Sequence, residues 1–231
     1  LIGGGSGVAR PGEVSLAHNG SLFLDELGLY RPSVLDSLRA PLEDGTVRIA
    51  RSGGSIAYPC RFALIAAMNP CPCGYLGDGL RACRCSGHQL QLYNGRLSGP
   101  LLDRFDMQVS MARLTKRELL GQPEGESTGT IRDRVERGRA VQAQRYESPV
   151  TTNSSARKAE LDDALSPSAE ARLALEGAID ALVLSGRGVD RVLRVARTIA
   201  DLEGEREIEA EHLNEALMFR AQVREALSCV G

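Results

Sequence analysis

Two neighbouring carboxylates, Asp25 and Glu26, close the apolar run Leu22-Phe23-Leu24. A run of large apolar residues reads as a parallel strand covered on both faces, and such strands present chemistry just beyond their carboxyl ends. Two acids delivered there suit phosphoryl transfer, the first holding Mg²⁺ through water and the second polarising an attacking water. A second apolar run, Phe62 to Met68, ends in Asn69, whose amide can orient a water beside Glu26. Next come Cys71-Pro72-Cys73 and Cys83-Arg84-Cys85, two Cys-x-Cys pairs separated by nine residues. Four thiolates in two close pairs can close a tetrahedral shell around Zn²⁺, with His88 as a substitute ligand. The intervening Gly, Asp and Arg offer little core in which to bury reduced thiols. Cys60 and Cys229 read as ordinary buried or terminal thiols.

The elements that must position these groups follow from punctuation and periodicity. Residues 1 to 112 mix short apolar runs with Gly and Pro, the texture of α/β structure. Residues 113–160 read as a linker that carries one helix, and 161–231 as helices only. Gly3-Gly4-Gly5-Ser6-Gly7 lacks the Lys-Ser/Thr by which a phosphate loop reaches phosphates and Mg²⁺, so it reads as a flexible connection. The spacing of Val34, Leu35 and Leu38 predicts a helix over 31–43 with a proline near its start. Thr46 to Tyr58 reads as a hairpin around a glycine turn. In Ser98-Gly-Pro-Leu-Leu-Asp-Arg104-Phe-Asp106, an arginine near the domain edge could reach a phosphate in a neighbouring subunit.

Ile131 to Arg145 is expected to be a helix with five arginines (132, 134, 137, 139 and 145) against Asp133 and Glu136, most simply a solvated face, with a nucleic-acid or inter-subunit contact as the alternative. Ser148 to Ser155 reads as linker. Three helices follow, from Ser166 through about Leu184, Gly188 to Glu203, and Ile208 to about Leu227. At 100° per residue, Arg187, Arg191 and Arg194 fall within about 60° of one another, opposite Val189, Val192, Leu193, Val195 and Ile199. With no acid interleaved, that row favours an anionic partner.

Composition narrows the classes. At 231 residues, 42% hydrophobic and 25% charged, the chain has the make-up of an ordinary globular protein. A net charge of −2 means that nucleic-acid contact must come from a local patch. No stretch approaches the roughly 20 apolar residues of a membrane span, and the opening Leu1-Ile-Gly-Gly-Gly does not resemble a signal peptide. Of six cysteines, four lie between Cys71 and Cys85, which suits metal binding in a reducing cytoplasm better than a disulfide framework.

An acid pair, a strand-end Asn, an Arg in Asp-Arg-Phe-Asp and an Arg-bearing lid helix follow one another in the order seen in AAA+ ATPases. Four segments carry a closer likeness: Pro11 to Glu26, Asn69-Pro-Cys-Pro-Cys-Gly, Ser98 to Asp106, and Arg194-Val-Ala-Arg-Thr-Ile-Ala-Asp-Leu. Over nearly the whole chain the sequence resembles magnesium-chelatase-like AAA+ proteins of the YifB and ComM type. The resemblance implies a partial P-loop parallel-sheet core followed by an all-helical lid. It implies ATP and Mg²⁺ as cofactors, with Asp25 and Glu26 as Walker B acids and Asn69 as the sensor-1 residue. It makes Arg104 the arginine finger and Arg187 the sensor-2 arginine, with Arg191 as runner-up. The hairpin resembles an insertion that, in related helicases, points into a ring's channel, so Arg48 and Arg51 are candidate DNA contacts. A homo-hexameric ring is expected, acting in DNA branch migration during uptake and recombination. The alternatives are the ATPase motor subunit of a magnesium chelatase, or a non-hydrolysing fragment that keeps oligomerising surfaces. The Gly-rich Lys-bearing loop of that family is not among these residues, so the 231-residue chain alone is expected to bind ATP poorly and not to turn it over.

Overall fold

The computed structural model describes residues 1–4, 10–51, 54–121, 125–161 and 164–228, with only the backbone for Arg51, Lys158 and 221–228. They divide into two compact units, Leu1–Phe105 together with 226–228, and Asp106–Glu225. Residues 113–160, read as linker, fall inside the second unit.

The first unit contains β1 (Gly3–Gly4), β2 (Arg10–Pro11), α1 (Glu13–Leu16), β3 (Ser21–Leu24), α2 (Pro32–Asp36), α3 (Arg39–Asp44), β4 (Thr46–Arg51), β5 (Gly54–Pro59), β6 (Ala63–Ala66), α4 (Gly87–Asn94) and α5 (Gly99–Leu102). β3 and β6 pair in parallel, Ser21 opposite Ala63 and Leu24 opposite Ala66. The pairing runs on past both strands, with Ala63 N donating to Gly20 O and Ala67 N to Leu24 O, each at 2.9 Å. Alternation sends Leu22, Leu24, Leu64 and Ala66 to the core, with Val14, Leu27, Leu35, Leu38, Val47, Ile49 and Leu101. Phe23 and Ile65 on the other face are 59% and 51% exposed, so the expectation of strands buried on both faces is corrected. Only one side of this pair is packed among the described residues, because successive side chains point to opposite faces.

The hairpin expected at 46–58 is present as antiparallel β4 and β5, Val47 opposite Tyr58 and Ile49 opposite Ile56. Val47 and Ile49 are buried while Arg48 and Ala50 are exposed, a period of two. The turn at Ser52 and Gly53 lies outside the described residues. The single helix expected over 31–43 is two helices. Pro41 has no N–H to donate to Ser37 O, and the Ser37 hydroxyl bonds Val34 O at 2.6 Å instead. Of the opening glycines, Gly3 and Gly4 form β1 against Arg10–Pro11, and Gly5 to Gly7 lie outside the described residues.

The second unit holds α6 (Lys116–Leu120), α7 (Thr128–Arg145), α8 (Lys158–Leu161), α9 (Ala169–Ala181), α10 (Gly186–Glu203) and α11 (Ala210–Ser228). Serines start its main helices: Ser127, Ser168 and Ser185 accept from the amides of Thr130, Ala171 and Gly188 at 3.1, 3.3 and 3.1 Å. Gly204, at φ 85°, ends α10 in the left-handed conformation that glycine adopts without a Cβ penalty. Val192 and Ala196 of α10 pack with Ala171, Leu175, Ile208, Leu213 and Ala216. α7 lies against α10 so closely that a Cβ on Gly138 would meet Leu202 Cδ2 at 2.9 Å.

Behind that contact is a buried polar cluster that pattern reading did not foresee. Arg145 grips both oxygens of Asp201, Nη1 at 2.8 Å from Oδ2 and Nη2 on Oδ1. Arg197 Nε donates to Asp201 Oδ1 at 3.0 Å and Asn153 Nδ2 to Oδ2 at 2.8 Å. Asn153 Oδ1 accepts from Tyr146 at 2.7 Å, and its amide donates to Gln142 Oε1 at 3.0 Å. Burial pushes the Arg197 guanidinium down from its ordinary value, whereas the bond to Asp201 raises Arg145. Arg145 is therefore half-buried and paired rather than part of a solvated face, and the Ser148 to Ser155 stretch delivers a residue, Asn153, that is 1% exposed. Removing one partner from a buried ion pair costs about 3–5 kcal/mol. Asp201→Ala is expected to lower stability to urea by that amount, whereas Glu176→Ala on the exposed face of α9 changes it by less than about 0.5 kcal/mol. Equal midpoints for the two variants, followed by circular dichroism, would remove the cluster's structural role.

Candidate functional site

Asp25 and Glu26 follow β3 directly, and both side chains are exposed. Asp25 Oδ1 accepts from Glu26 N at 2.8 Å. Glu26 holds the left-handed conformation, φ 51° and ψ 47°. A non-glycine residue there costs about 1–2 kcal/mol, and such strain collects where a backbone is forced to aim a side chain. The turn is forced by the next bond: Leu27 N donates to Ala67 O at 2.8 Å, and buried Leu27 anchors a 3-10 turn, Leu27–Leu29. Ala67 thus bonds the acid-bearing chain on both sides of Asp25 and Glu26.

Asn69 lies two residues beyond Ala67 with its side chain exposed. β6 ends at Ala66, three residues earlier than the apolar run implied. The Asn69 carbonyl accepts from the Tyr93 hydroxyl at 3.1 Å. Tyr93 rests on Gly28, where an added Cβ would come within 2.3 Å of the ring, and Arg96 Nη1 donates to Gly28 O at 2.7 Å. Burial raises the Tyr93 phenol above its ordinary value, with Cys71 and Glu26 acting the same way and the Arg96 guanidinium opposing them. Tyr93 therefore stands between the acids, Asn69 and the cysteines. Nothing in its surroundings in sequence pointed to it, though glycine facing an aromatic on a capped helix is a recognisable partner once α4 is placed. That helix begins at Ser86, whose hydroxyl accepts from Gln89 N at 3.3 Å while Gln89 Oε1 accepts from Ser86 N at 2.9 Å.

The sulfurs of Cys71, Cys73, Cys83 and Cys85 all lie within 4.8 Å of one another. His88 is not in that group; it sits exposed in the first turn of α4. Backbone amides of Arg84 and Tyr75 point at Cys73 and hold its thiol down to about 6, while burial is the main cause that pushes Cys85 up to about 12. Cys60 is buried and its thiol donates to Pro41 O at 3.7 Å; Cys229 lies outside the described residues.

Arg104, Arg191 and Arg194 are held by partners within the chain. Arg104, expected to project from a domain edge, is 9% exposed. One turn after Pro100, its guanidinium folds back to donate to the Pro100 carbonyl at 2.5 Å and pairs closely with Glu43 of its own chain, leaving Nε without a partner among the described residues. In the second unit, Arg187 is exposed, whereas Arg191 pairs with Asp106. Arg194 bonds Asp190 at 2.7 Å and the carbonyls of Asn153 and Ala156 at 2.6 and 3.0 Å. The row is thus not a bare anion surface: Asp106 and the carbonyls around Asn153, distant in sequence, hold Arg191 and Arg194. The expectation of no interleaved acid is corrected by Asp190, which pairs with Arg194 from the same helix. Arg48 is exposed on β4, and the Arg51 side chain is outside the described residues.

An α/β unit whose parallel pair ends in two acids, followed by an all-helical unit, is the architecture of a partial AAA+ core with its C-terminal helical domain. Family models described as magnesium chelatase, subunit ChlI, and its C-terminal part match residues 1–119 and 125–220. The chain belongs to the magnesium chelatase ChlI family, and the resemblance read from its motifs is borne out. It is 43% identical to the competence protein ComM of Haemophilus influenzae over 97% of its length, and 40% identical to the uncharacterized protein YifB of Escherichia coli over 96%. It covers 43% of each of those proteins. The magnesium-chelatase 38 kDa subunit of Acidiphilium rubrum is 27% identical over 88% of this chain, which covers 52% of it.

The strain at Glu26 can be measured. Glu26→Ala and Glu26→Gly both delete the carboxylate, but only glycine relieves the left-handed backbone. Glu26→Gly is expected to be the more stable by about 1 kcal/mol in urea unfolding; equal stability would show that Glu26 is not held at positive φ.

Proposed function

We propose that this chain supplies the magnesium- and water-handling half of an ATPase site in a ring-forming motor that remodels DNA. What supports the reading most is the pair of bonds at Ala67, which hold Asp25 and Glu26 on one strand end beside the Asn69 segment. Asp25 and Glu26 are exposed hard oxygen donors, the chemistry that Mg²⁺ takes; when bound, Mg²⁺ neutralises charge on the phosphates. Glu26 polarises the water that attacks, and the Asn69 amide orients it. Binding of the triphosphate rests on backbone amides and a Lys that these residues do not include, so the chain by itself grips ATP weakly.

Arg187 is assigned to contact nucleotide, and Arg191 takes that role only after leaving Asp106. Arg104 acts in a neighbouring subunit's site only when assembly opens its pair with Glu43. A homo-hexamer, DNA contact through the β4–β5 hairpin, and work in the cytoplasm complete the reading. No helix among the described residues is long and apolar enough to cross a membrane. The name of ComM, a competence protein, and its higher identity favour DNA remodelling over metal insertion into a porphyrin.

Protein expressed from the complete coding sequence is expected to hydrolyse ATP faster with single-stranded DNA. Glu26→Gln should lower kcat at least about 10²-fold while nucleotide binding persists. ATP hydrolysis indifferent to DNA but coupled to magnesium insertion would favour the chelatase reading. For the 231 residues alone, tight Mg²⁺-dependent binding in a fluorescent-ATP titration would overturn the weak-grip proposal.

A further inference from the structure

We propose that Cys71, Cys73, Cys83 and Cys85 hold one structural Zn²⁺, which serves as the core of the 71–86 loop and thereby sets the backbone at Asn69. The sulfur geometry carries this. Cys71 to Cys73, Cys73 to Cys83, and Cys83 to Cys71 are 3.4, 3.6 and 3.7 Å apart. A disulfide needs about 2.05 Å, so these are separate thiols. A Zn–S bond of about 2.3 Å puts the edges of a tetrahedron near 3.8 Å, and the observed separations lie close to that value. A fourth sulfur, Cys85, within the same 4.8 Å completes the shell.

The surroundings agree with a metal rather than with packed thiols. Thiolates are soft donors and select zinc over the hard cations that Asp25 and Glu26 suit. The loop is otherwise held by turns and surface contacts, such as Gly74 N to Cys71 O at 3.0 Å and Arg81 stacked 5.2 Å over Tyr75. Between residues 71 and 86 only Cys71 is buried, and Leu80 is 79% exposed. No apolar side chain there explains why four sulfurs should gather. Four protein ligands leave no open position, so the site is structural rather than catalytic.

The consequence falls on the acid site. Cys71 is two residues from Asn69, with Pro70 between, and the Asn69 carbonyl is pinned by Tyr93, which packs on Gly28 behind Glu26. Metal on one side and Tyr93 on the other leave the Asn69 segment little freedom.

The proposal is tested without reference to ATP hydrolysis. Protein expressed from the complete coding sequence and purified without chelator should contain about one zinc per chain. Titration of the wild type with a mercurial should release that zinc as the cluster thiols react. Cobalt-substituted protein should show the sulfur-to-metal charge transfer and strong visible bands of a tetrahedral tetrathiolate. Cys73→Ser and Cys85→Ser should carry at least about tenfold less zinc. Chelator stripping of the wild type should raise amide exchange at 67–69 and in α4 while leaving α10 unchanged. Zinc below about 0.1 per chain, iron in its place, or exchange at 67–69 indifferent to the metal would each overturn the proposal as stated.

Discussion

Leu24 faces Ala66 across a parallel pair of strands, and the chemistry of the first unit depends on what happens one residue beyond that register. Ala67 still bonds Leu24 through its amide, but its carbonyl turns to the amide of Leu27. The chain between those two bonds has room for only two residues, and they are Asp25 and Glu26. Burying Leu24 and Leu27 while satisfying both backbone groups forces Glu26 into a left-handed turn. The strain is small against the apolar burial that imposes it, since each buried leucine contributes about 1.5–3 kcal/mol. Two carboxylates are thereby turned toward solvent beside Asn69.

In the second unit the corresponding constraint is Asp201. A carboxylate without solvent access is tolerable only when its oxygens are satisfied, and Arg145, Arg197 and Asn153 do this from three separate parts of the chain. The cluster fixes α7 against α10 and turns the 148–155 stretch into packed structure. It also gives the motif Arg194 to Leu202 a physical meaning distinct from nucleotide binding. Arg194 holds the carbonyls around Asn153 and Arg197 holds Asp201, so two of its charged residues build the helical unit.

Much of this was legible in the sequence. Phe23 and Ile65 sat in apolar runs that correctly indicated paired strands, Val47 and Ile49 alternated with Arg48 and Ala50, and the helices α7, α9 and α10 were read within a few residues of their starts. Those signals are local, set by backbone sterics, capping and side-chain period. Charge partners were not legible. Arg104, Arg145, Arg191 and Arg194 looked like exposed cations because Glu43, Asp201, Asp106 and the carbonyl of Asn153 lie 61, 56, 85 and 41 residues away. Tyr93 was silent for the same reason, as its partners Gly28 and Asn69 are on other elements. The exposed faces of Phe23 and Ile65 also escaped a one-dimensional reading, since an apolar run says that a strand is sticky but not which face is covered.

The order of acids, amide, cysteine pairs and arginines was enough by itself to place the chain in its family, because spacing along a strand or helix is set within a few residues. Which of those groups share a site is a different question, decided only by tertiary structure. Strand register brings Glu26 beside the Asn69 segment, loop turns collect the four sulfurs, and Asp201 draws guanidiniums inward. Long-range contact has no period in sequence: it follows from which buried polar groups must find partners once the cores have closed.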